Sequence, residues 1–212
     1  MNPIRGIHHI TAIASSPQAN VDFYHSLLGQ RLVKKTINFD DPHTYHLYYG
    51  DQVGSAGTIM THFPWPNARR GVVGNGEIGA SAYAIGAGSL GYWRERLMEH
   101  GVDVSDTQTR FGAEMLAFRD PDGMALELIV DEKACAPQPW LDGPVPAEHV
   151  LAGFHGVTLF EAKAEPTARL LTEQMGYLFV GQEGSRWRFR TVSNAAGSHV
   201  DLLEQPGLGP GR

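Results

Sequence analysis

Two adjacent histidines, His8 and His9, head an alternating strand pattern, Ile7-His8-His9-Ile10-Thr11-Ala12-Ile13. Successive side chains of a strand point to opposite faces, so one of the two imidazoles is aimed into any cavity the strand lines. Residues 153–159 repeat the pattern with His155 in the place of His9, and residues 79–85 with Ser81. Three later apolar segments, each starting near a glycine (57–63, 123–128 and 197–202), put Thr61, Glu127 and Asp201 at the equivalent inward positions. A histidine on an opening strand and a carboxylate on a closing strand are the material of a two-histidine, one-carboxylate site. Such a site leaves one side of an Fe(II) ion open to oxygen and substrate. If the second and third copies are the two that face each other, Glu127, His155 and Asp201 could on paper form one such set, with Ser81 beside them, and the alternative is a metal-free polar core in which His155 bonds a carboxylate. One strand pair cannot supply three ligands, so two such units must face each other.

The chain has ten histidines, most of which need no special reading. His25 and His100 lie in helical stretches and His43 in a polar loop, which suits surface residues. His46, in Thr44-Tyr45-His46-Leu47-Tyr48-Tyr49, belongs to a strand and could line a cavity. His62 and His199 neighbour the closing-strand positions and are expected on the opposite face. Phe23, Tyr45, Tyr48 and Trp65 are available to line a pocket for an aromatic ring.

The elements that must position these residues recur three times. Each opening strand leads into a helical stretch ending at a glycine suited to a helix C-cap: Gly29, Gly101 and Gly176. The interval from His9 to Gly29 equals that from Ser81 to Gly101, and that from His155 to Gly176 is one residue longer. A further strand follows each glycine, at Leu32-Val33, Val102 to Val104 and Leu178 to Val180, and two more complete the unit. Asp120-Pro121-Asp122-Gly123 fits a tight turn between the last two strands of the second copy. The fold class is therefore α+β, built from tandem βαβββ modules over residues 1–68, 77–134 and 147–205. Segments rich in Pro and Gly, 64–76 and 135–146, read as linkers. Residues 205–212 (QPGLGPGR) read as a third linker not docked on a core, with 206–212 leading to an expected fourth module. Within the first strand, Ile7 and Ile13 are expected to supply the anchoring burial.

Composition narrows the function classes. The 212 residues are 42% hydrophobic with a net charge of -6, which gives no basic footprint for nucleic acid. Cys135 is the sole cysteine, so neither an intrachain disulfide nor a Cys-rich zinc site can form. The N-terminus lacks the apolar run and cleavage site of a secretory signal, and no stretch has the roughly 18 to 20 apolar residues of a membrane helix. A reducing, cytoplasmic location is the expectation.

The opening Ile7-His8-His9-Ile10-Thr11 resembles members of the vicinal oxygen chelate superfamily, which includes glyoxalase, bleomycin resistance proteins and extradiol dioxygenases. Gly29 to Thr36, Tyr45 to Tyr49, Gly57 to Pro64, Thr109 to Gly112 and His149 to His155 resemble its ring-cleaving branch, including hydroquinone dioxygenases. The resemblance covers essentially the whole chain. It implies four βαβββ modules and one mononuclear Fe(II), with His9 as one ligand and a histidine and a glutamate of the fourth module as the others. Modules one and four then face each other, leaving two and three as a pair. It also implies that His8 and Thr11 line the substrate pocket, His8 as a hydrogen-bonding or acid/base group, although on its own face His8 could equally be a packed structural residue.

The function expected is Fe(II)-dependent cleavage of a hydroquinone-like or catechol-like aromatic by O2, with Mn(II) as the other candidate metal, incomplete in these 212 residues. A homo-oligomer is expected, since self-association could cover the unpaired face of the first module. The rival is a metal-free protein that sequesters a small aromatic, as drug-resistance members of the superfamily do. A glyoxalase-like isomerase would need a glutamate where Thr61 stands.

Overall fold

A computed structural model describes residues 4–134, 137–193 and 195–212. Cys135 and residues 1–3 of the N-terminus lie outside the described residues. The first module runs β1 (His9–Ala14), α1 (Pro17–Val21), β2 (Arg31–Ile37), β3 (Tyr45–Gly50) and β4 (Ile59–Pro64). The second runs β5 (Glu77–Ile85), α2 (Leu90–Glu99), β6 (Gln108–Arg110), β7 (Ala113–Arg119) and β8 (Ala125–Val130). The third runs β9 (Phe154–Glu161), α3 (Glu165–Arg169), β10 (Leu178–Glu183), β11 (Arg186–Arg190) and β12 (His199–Glu204). In the first and third modules the helix continues as a π-helical segment, Asp22–Leu27 and Leu170–Gln174. The α+β class and the βαβββ repeat are thus the observed architecture.

Glycines set the shared punctuation. Gly29, Gly101 and Gly176, at the helix ends, have φ of 67, 73 and 72°, the left-handed region that glycine enters without a Cβ penalty. Gly57, Gly123 and Gly197, ahead of the closing strands, likewise have positive φ. In the second module the strand after the helix is not where the apolar pattern put it. Val102 to Val104 pack against the core without strand pairing, and the strand is the short β6 further on. Apolar alternation reported burial there, not a ladder.

Sheet order is β1-β4-β3-β2 in the first module, while modules two and three merge into one eight-stranded sheet, β10-β11-β12-β9-β5-β8-β7-β6. The join is the antiparallel pair β5–β9. The helix-packed faces of all three modules share one hydrophobic core that includes Tyr24, Leu28, Met60, Trp93, Leu97, Leu126, Phe154, Phe189 and Leu202. Burying each such side chain contributes about 1.5–3 kcal/mol before conformational entropy is set against it. Modules one and two are cross-linked inside this core. Tyr24 Oη donates to Asp120 Oδ2 at 3.0 Å, Tyr83 Oη to Gln30 Oε1 at 3.1 Å, and the Arg96 guanidinium to the Ser26 and Leu27 carbonyls.

Two expectations are corrected here. In β1 the buried anchors are Ile10 and Ala14, at 5% and 1% exposure, whereas Ile13 is 57% exposed. Helix packing claims the even-numbered positions, so Ile13 shares the open face with His9. The C-terminal segment is also docked, not free. Val72 and Arg212 exchange backbone hydrogen bonds, Asn75 bridges to Pro210, and Asn75 Nδ2 donates to the Gln205 and Leu208 carbonyls. Two linkers rich in Pro and Gly satisfy backbone groups on each other, with the Asn75 side chain adding two bonds.

Candidate functional site

The face of the first sheet turned away from α1 collects the chemistry-bearing side chains of that module. Strand register aligns Thr11 with Thr61 across β1–β4, Thr61 with Tyr48 across β4–β3, and Tyr48 with Lys34 across β3–β2. His9 precedes this row beside Ile59, and Ile13 follows it beside Phe63. His9 and Thr11 are exposed and Tyr48 and His46 half-buried, so the face is open. His8 turns its ring edge-on to His9, with the two Nδ1 atoms 3.2 Å apart. Alternation puts His8 on the opposite face, but it precedes β1, is exposed, and brings its ring to His9 at the end of this face.

Polar groups on this face are linked pairwise. Thr61 Oγ1 donates to Thr11 Oγ1 at 2.9 Å, and Tyr48 Oη lies 2.8 Å from His46 Nδ1. The His46 ring packs against Phe63 at 3.9 Å between centroids, and Phe63 stacks on Trp65. Burial first, and then the nearby His9 and Lys34, hold His46 below the usual imidazole range, so it is neutral at neutral pH. Of the aromatics expected to line a ring pocket, Tyr48 and Trp65 belong to this region. Phe23 does not: it is buried in the core against Phe118. Tyr45 is an exposed neighbour of Lys35, whose ammonium sits over its ring.

His62 lies on the other face, as alternation requires. It is wholly buried beside Tyr24, and neither ring nitrogen has a hydrogen-bond partner among the described residues. Burial, then the charge of His46, pushes its pKa down to about 3. The unfolded chain would bind that proton near pH 6.5, so the contribution of neutral His62 is fully present above about pH 6.5 and lost as pH falls toward about 3. Each unit in that window should cost about 1.4 kcal/mol. Urea unfolding of wild type and His62→Phe at pH 7.5 and pH 5 should show a steeper loss in the wild type by about 2 kcal/mol. Equal pH dependence in the two proteins would show that His62 is not held neutral by burial.

The second set, Glu127, His155 and Asp201, is drawn around one small cavity of about 10 Å³ on the face of the merged sheet opposite the helices. Each carboxylate is held by arginine. Arg110 grips Glu127 through two hydrogen bonds of 2.7 and 3.0 Å, and Arg188 grips Asp201 through two of 2.8 Å. Arg186 adds a third contact to Asp201 at 3.1 Å. Guanidinium supplies here the positive charge a cation would otherwise bring, and the cavity has room for about one water. Among the described residues no group of three or more His, Cys, Asp or Glu side chains is arranged to hold a metal.

Two positional expectations fail at this cavity. Ser81 does not face it. It pairs with Leu126 and Val157 and turns its Oγ, without a hydrogen-bond partner among the described residues, into the helix side. His155 reaches the cavity because the β5–β9 register shifts between Ala82 and Tyr83, leaving His155 as an extra residue between Phe154 and Gly156. His199 also faces the cavity, stacked on His155 with centroids 4.2 Å apart. Residues two apart on a strand share a face, so His199 goes with Asp201 rather than against it. The arginines were overlooked in the sequence, although Arg186, Arg188 and Arg190 alternate in step with Asp201 and Leu203 on the neighbouring strand.

A larger cavity, about 940 Å³, lies elsewhere, between the first helix and residues 100–105, lined by Phe23, Leu27, Val104 and Phe118. It contains Phe23 of the expected aromatic residues but none of His8, His9, Thr11, Glu127, His155 and Asp201. No helix among the described residues is long and apolar enough to cross a membrane.

Comparison with known proteins places this geometry in a family. A glyoxalase/bleomycin resistance protein/dioxygenase superfamily model matches residues 6–128. The chain is 44% identical over 201 residues to MhqO of Bacillus subtilis strain 168, provisionally named a ring-cleaving dioxygenase, covering 95% of this chain and 64% of MhqO. It is 35% identical to the chlorohydroquinone/hydroquinone 1,2-dioxygenase of Sphingobium indicum, over 99% of this chain and 68% of that protein. A crystal structure of a provisionally assigned dioxygenase from Bacillus subtilis superposes with a TM-score of 0.93 at 42% identity, over 100% of this chain and 67% of that one. The chain thus spans about two thirds of the length of these relatives. The chain belongs to the glyoxalase/bleomycin resistance protein/dioxygenase superfamily.

Proposed function

We propose that this chain carries the first module's half of a ring-cleaving dioxygenase site that uses O2 on a hydroquinone-like or catechol-like aromatic. The observation that supports this most directly is the open face of the first sheet. It offers an accessible histidine, His9, hydroxyl groups on Thr11 and Tyr48, and the aromatic rings of Tyr48, Phe63 and Trp65. His8 is the neighbouring group suited to exchange a proton with a substrate hydroxyl. A site for a small aromatic needs this mixture of apolar surface and a few placed polar groups.

Fe(II), with Mn(II) as the other candidate, would supply adjacent positions for O2 and a phenolate. The donor set of this face fits one ligand, His9, and no more, because Thr61 occupies the closing-strand position where a carboxylate would be needed. The remaining ligands therefore come from outside these 212 residues, from a fourth module covering this face or from a second copy of the chain. Glu127 and Asp201 are committed to arginine and His155 is stacked, so that set serves as a polar core.

The test is an oxygen-electrode assay with hydroquinone, with iron content measured in parallel, on this chain and on the full-length protein. The expected outcome is substoichiometric iron and little O2 uptake for the 212 residues, and turnover for the full length. Stoichiometric iron and turnover in the short chain would relocate the site to a self-associated face or to the Glu127, His155 and Asp201 cavity. Aromatic binding without iron or O2 uptake in the full-length protein would favour a sequestering protein, a reading that Thr61 in place of a carboxylate on the closing strand also supports.

A further inference from the structure

Both carboxylates of the arginine cluster on the merged sheet are already matched. Arg110 takes both oxygens of Glu127, and Arg188 takes both oxygens of Asp201 through its Nε and Nη2. Arg186 is the third guanidinium and has no carboxylate of its own. Its Nη1 donates to Thr158 Oγ1 at 2.8 Å and to Asp201 Oδ2 at 3.1 Å. A guanidinium carries five N–H donors, so the Nε hydrogen and both Nη2 hydrogens have no acceptor among the described residues. Three arginines against two carboxylates leave the cluster with one positive charge in excess.

Arg186 keeps 13% side-chain exposure and borders a cavity of about 310 Å³ that adjoins the 10 Å³ one. The two share Glu127 and Thr158. Strand register puts Arg186, Leu203 and Phe160 in one row across β11, β12 and β9, two residues along from the row of Arg188, Asp201 and Thr158. The roomier cavity thus has the charged row as its floor and apolar walls from Phe160, Leu203 and Ile78. The Phe160 ring lies over Gly79, where a Cβ would collide with it, so glycine lets this wall approach the strand. Ile78 is 49% exposed at the rim and offers apolar surface for a ligand to cover. The volume is at the lower end of the range for small-molecule sites, and apolar walls around one charged group are what such a site needs.

We propose that this cavity binds a small apolar monocarboxylate, its two oxygens held by the Nε–Nη2 edge of Arg186 and its apolar body lodged between Ile78, Phe160 and Leu203. A planar two-oxygen anion fits that edge as Asp201 fits the same edge of Arg188. One negative charge completes the balance of the cluster. A dianion would add a charge with no partner beside Glu127. The site belongs to modules two and three and does not depend on the aromatic site proposed on the first.

The test is calorimetric titration of the 212-residue chain, without iron, with benzoate, its neutral isostere benzamide, and acetate. Benzoate should bind at one site per chain and about 10- to 100-fold more tightly than benzamide, the worth of a hydrogen bond to a charged group. Acetate, which has no ring to place between the walls, should bind more weakly than benzoate. Arg186→Gln should lower benzoate affinity to that of benzamide. Ile78→Glu and Ile78→Lys change an exposed position and leave the fold and the arginines intact. They should weaken and strengthen benzoate binding several-fold, respectively, and leave benzamide unchanged. These two variants decide the question alone if Arg186→Gln does not fold. Absence of saturable benzoate binding, or equal affinity for benzoate and benzamide, would overturn the proposal. So would acetate binding as tightly as benzoate, or a benzoate affinity that Arg186→Gln or the Ile78 pair does not move.

Discussion

Replacing His9 with alanine in the full-length protein should abolish O2 consumption with a hydroquinone substrate and leave the fold intact. His9 is exposed on the open face of the first sheet, and its recorded polar contact is with the adjacent His8. The stability of β1 resides in its other face, where Ile10 and Ala14 are buried against the core, and in the ladder to β4. Truncation of His9 therefore removes no core contact, and a change within about 0.5 kcal/mol is expected in urea unfolding. The catalytic effect should be far larger. Groups that merely support a ligand change metal affinity or activity by about 10- to 100-fold, so loss of a ligand itself should exceed about 100-fold. Oxygen uptake and iron content measured together check this. Full activity in His9→Ala would show that the open face is not the reaction site.

Asp201→Ala should be the most destabilising single substitution at the second cavity, by about 3–5 kcal/mol in urea unfolding. Asp201 is 4% exposed and pairs with two arginines, one of which, Arg188, is itself 4% exposed and gripped through two hydrogen bonds. Truncation leaves a buried guanidinium without its counter-charge, partly offset by its position 4.2 Å from the centroid of the Phe111 ring. Glu127→Ala should cost less, because Arg110 retains 14% side-chain exposure and can turn toward water. The double substitution Asp201→Ala with Arg188→Met should recover part of the loss, since removing both charges removes the uncompensated one. A loss under about 1 kcal/mol for Asp201→Ala would mean that water reaches Arg188 and that the cavity is not a dry ion-paired core.

Three modules of βαβββ form were legible because their markers are local. A glycine in the left-handed region at a helix end, another ahead of a closing strand and a short alternating run are each fixed by backbone sterics and burial within a few residues. They recur at near-constant intervals whatever surrounds them. His9 and Thr11 on one face, and His62 on the other, follow from strand periodicity alone, and the structure keeps them there.

Other features depended on contacts between segments distant in sequence. His155 was expected to face the second cavity, and it does so through a bulge opposite β5, which no pattern inside residues 153–159 encodes. Ser81 and His155 looked equivalent, yet the join between modules two and three turns one inward and the other outward. Arg110, Arg186 and Arg188 became the partners of Glu127 and Asp201 only when β6, β8, β11 and β12 were assembled, because a charge pair is chosen by proximity in space. The docking of residues 209–212 on 72–75 is likewise a pairing of two backbones whose side chains carry almost no signal. The sequence by itself determined the order of strands and helices in each module, though not the place of β6, and which residue types were available to bind a ligand. The tertiary structure decided which of those residues are free to do so, because the partner that neutralises, buries or orients each one comes from another part of the chain.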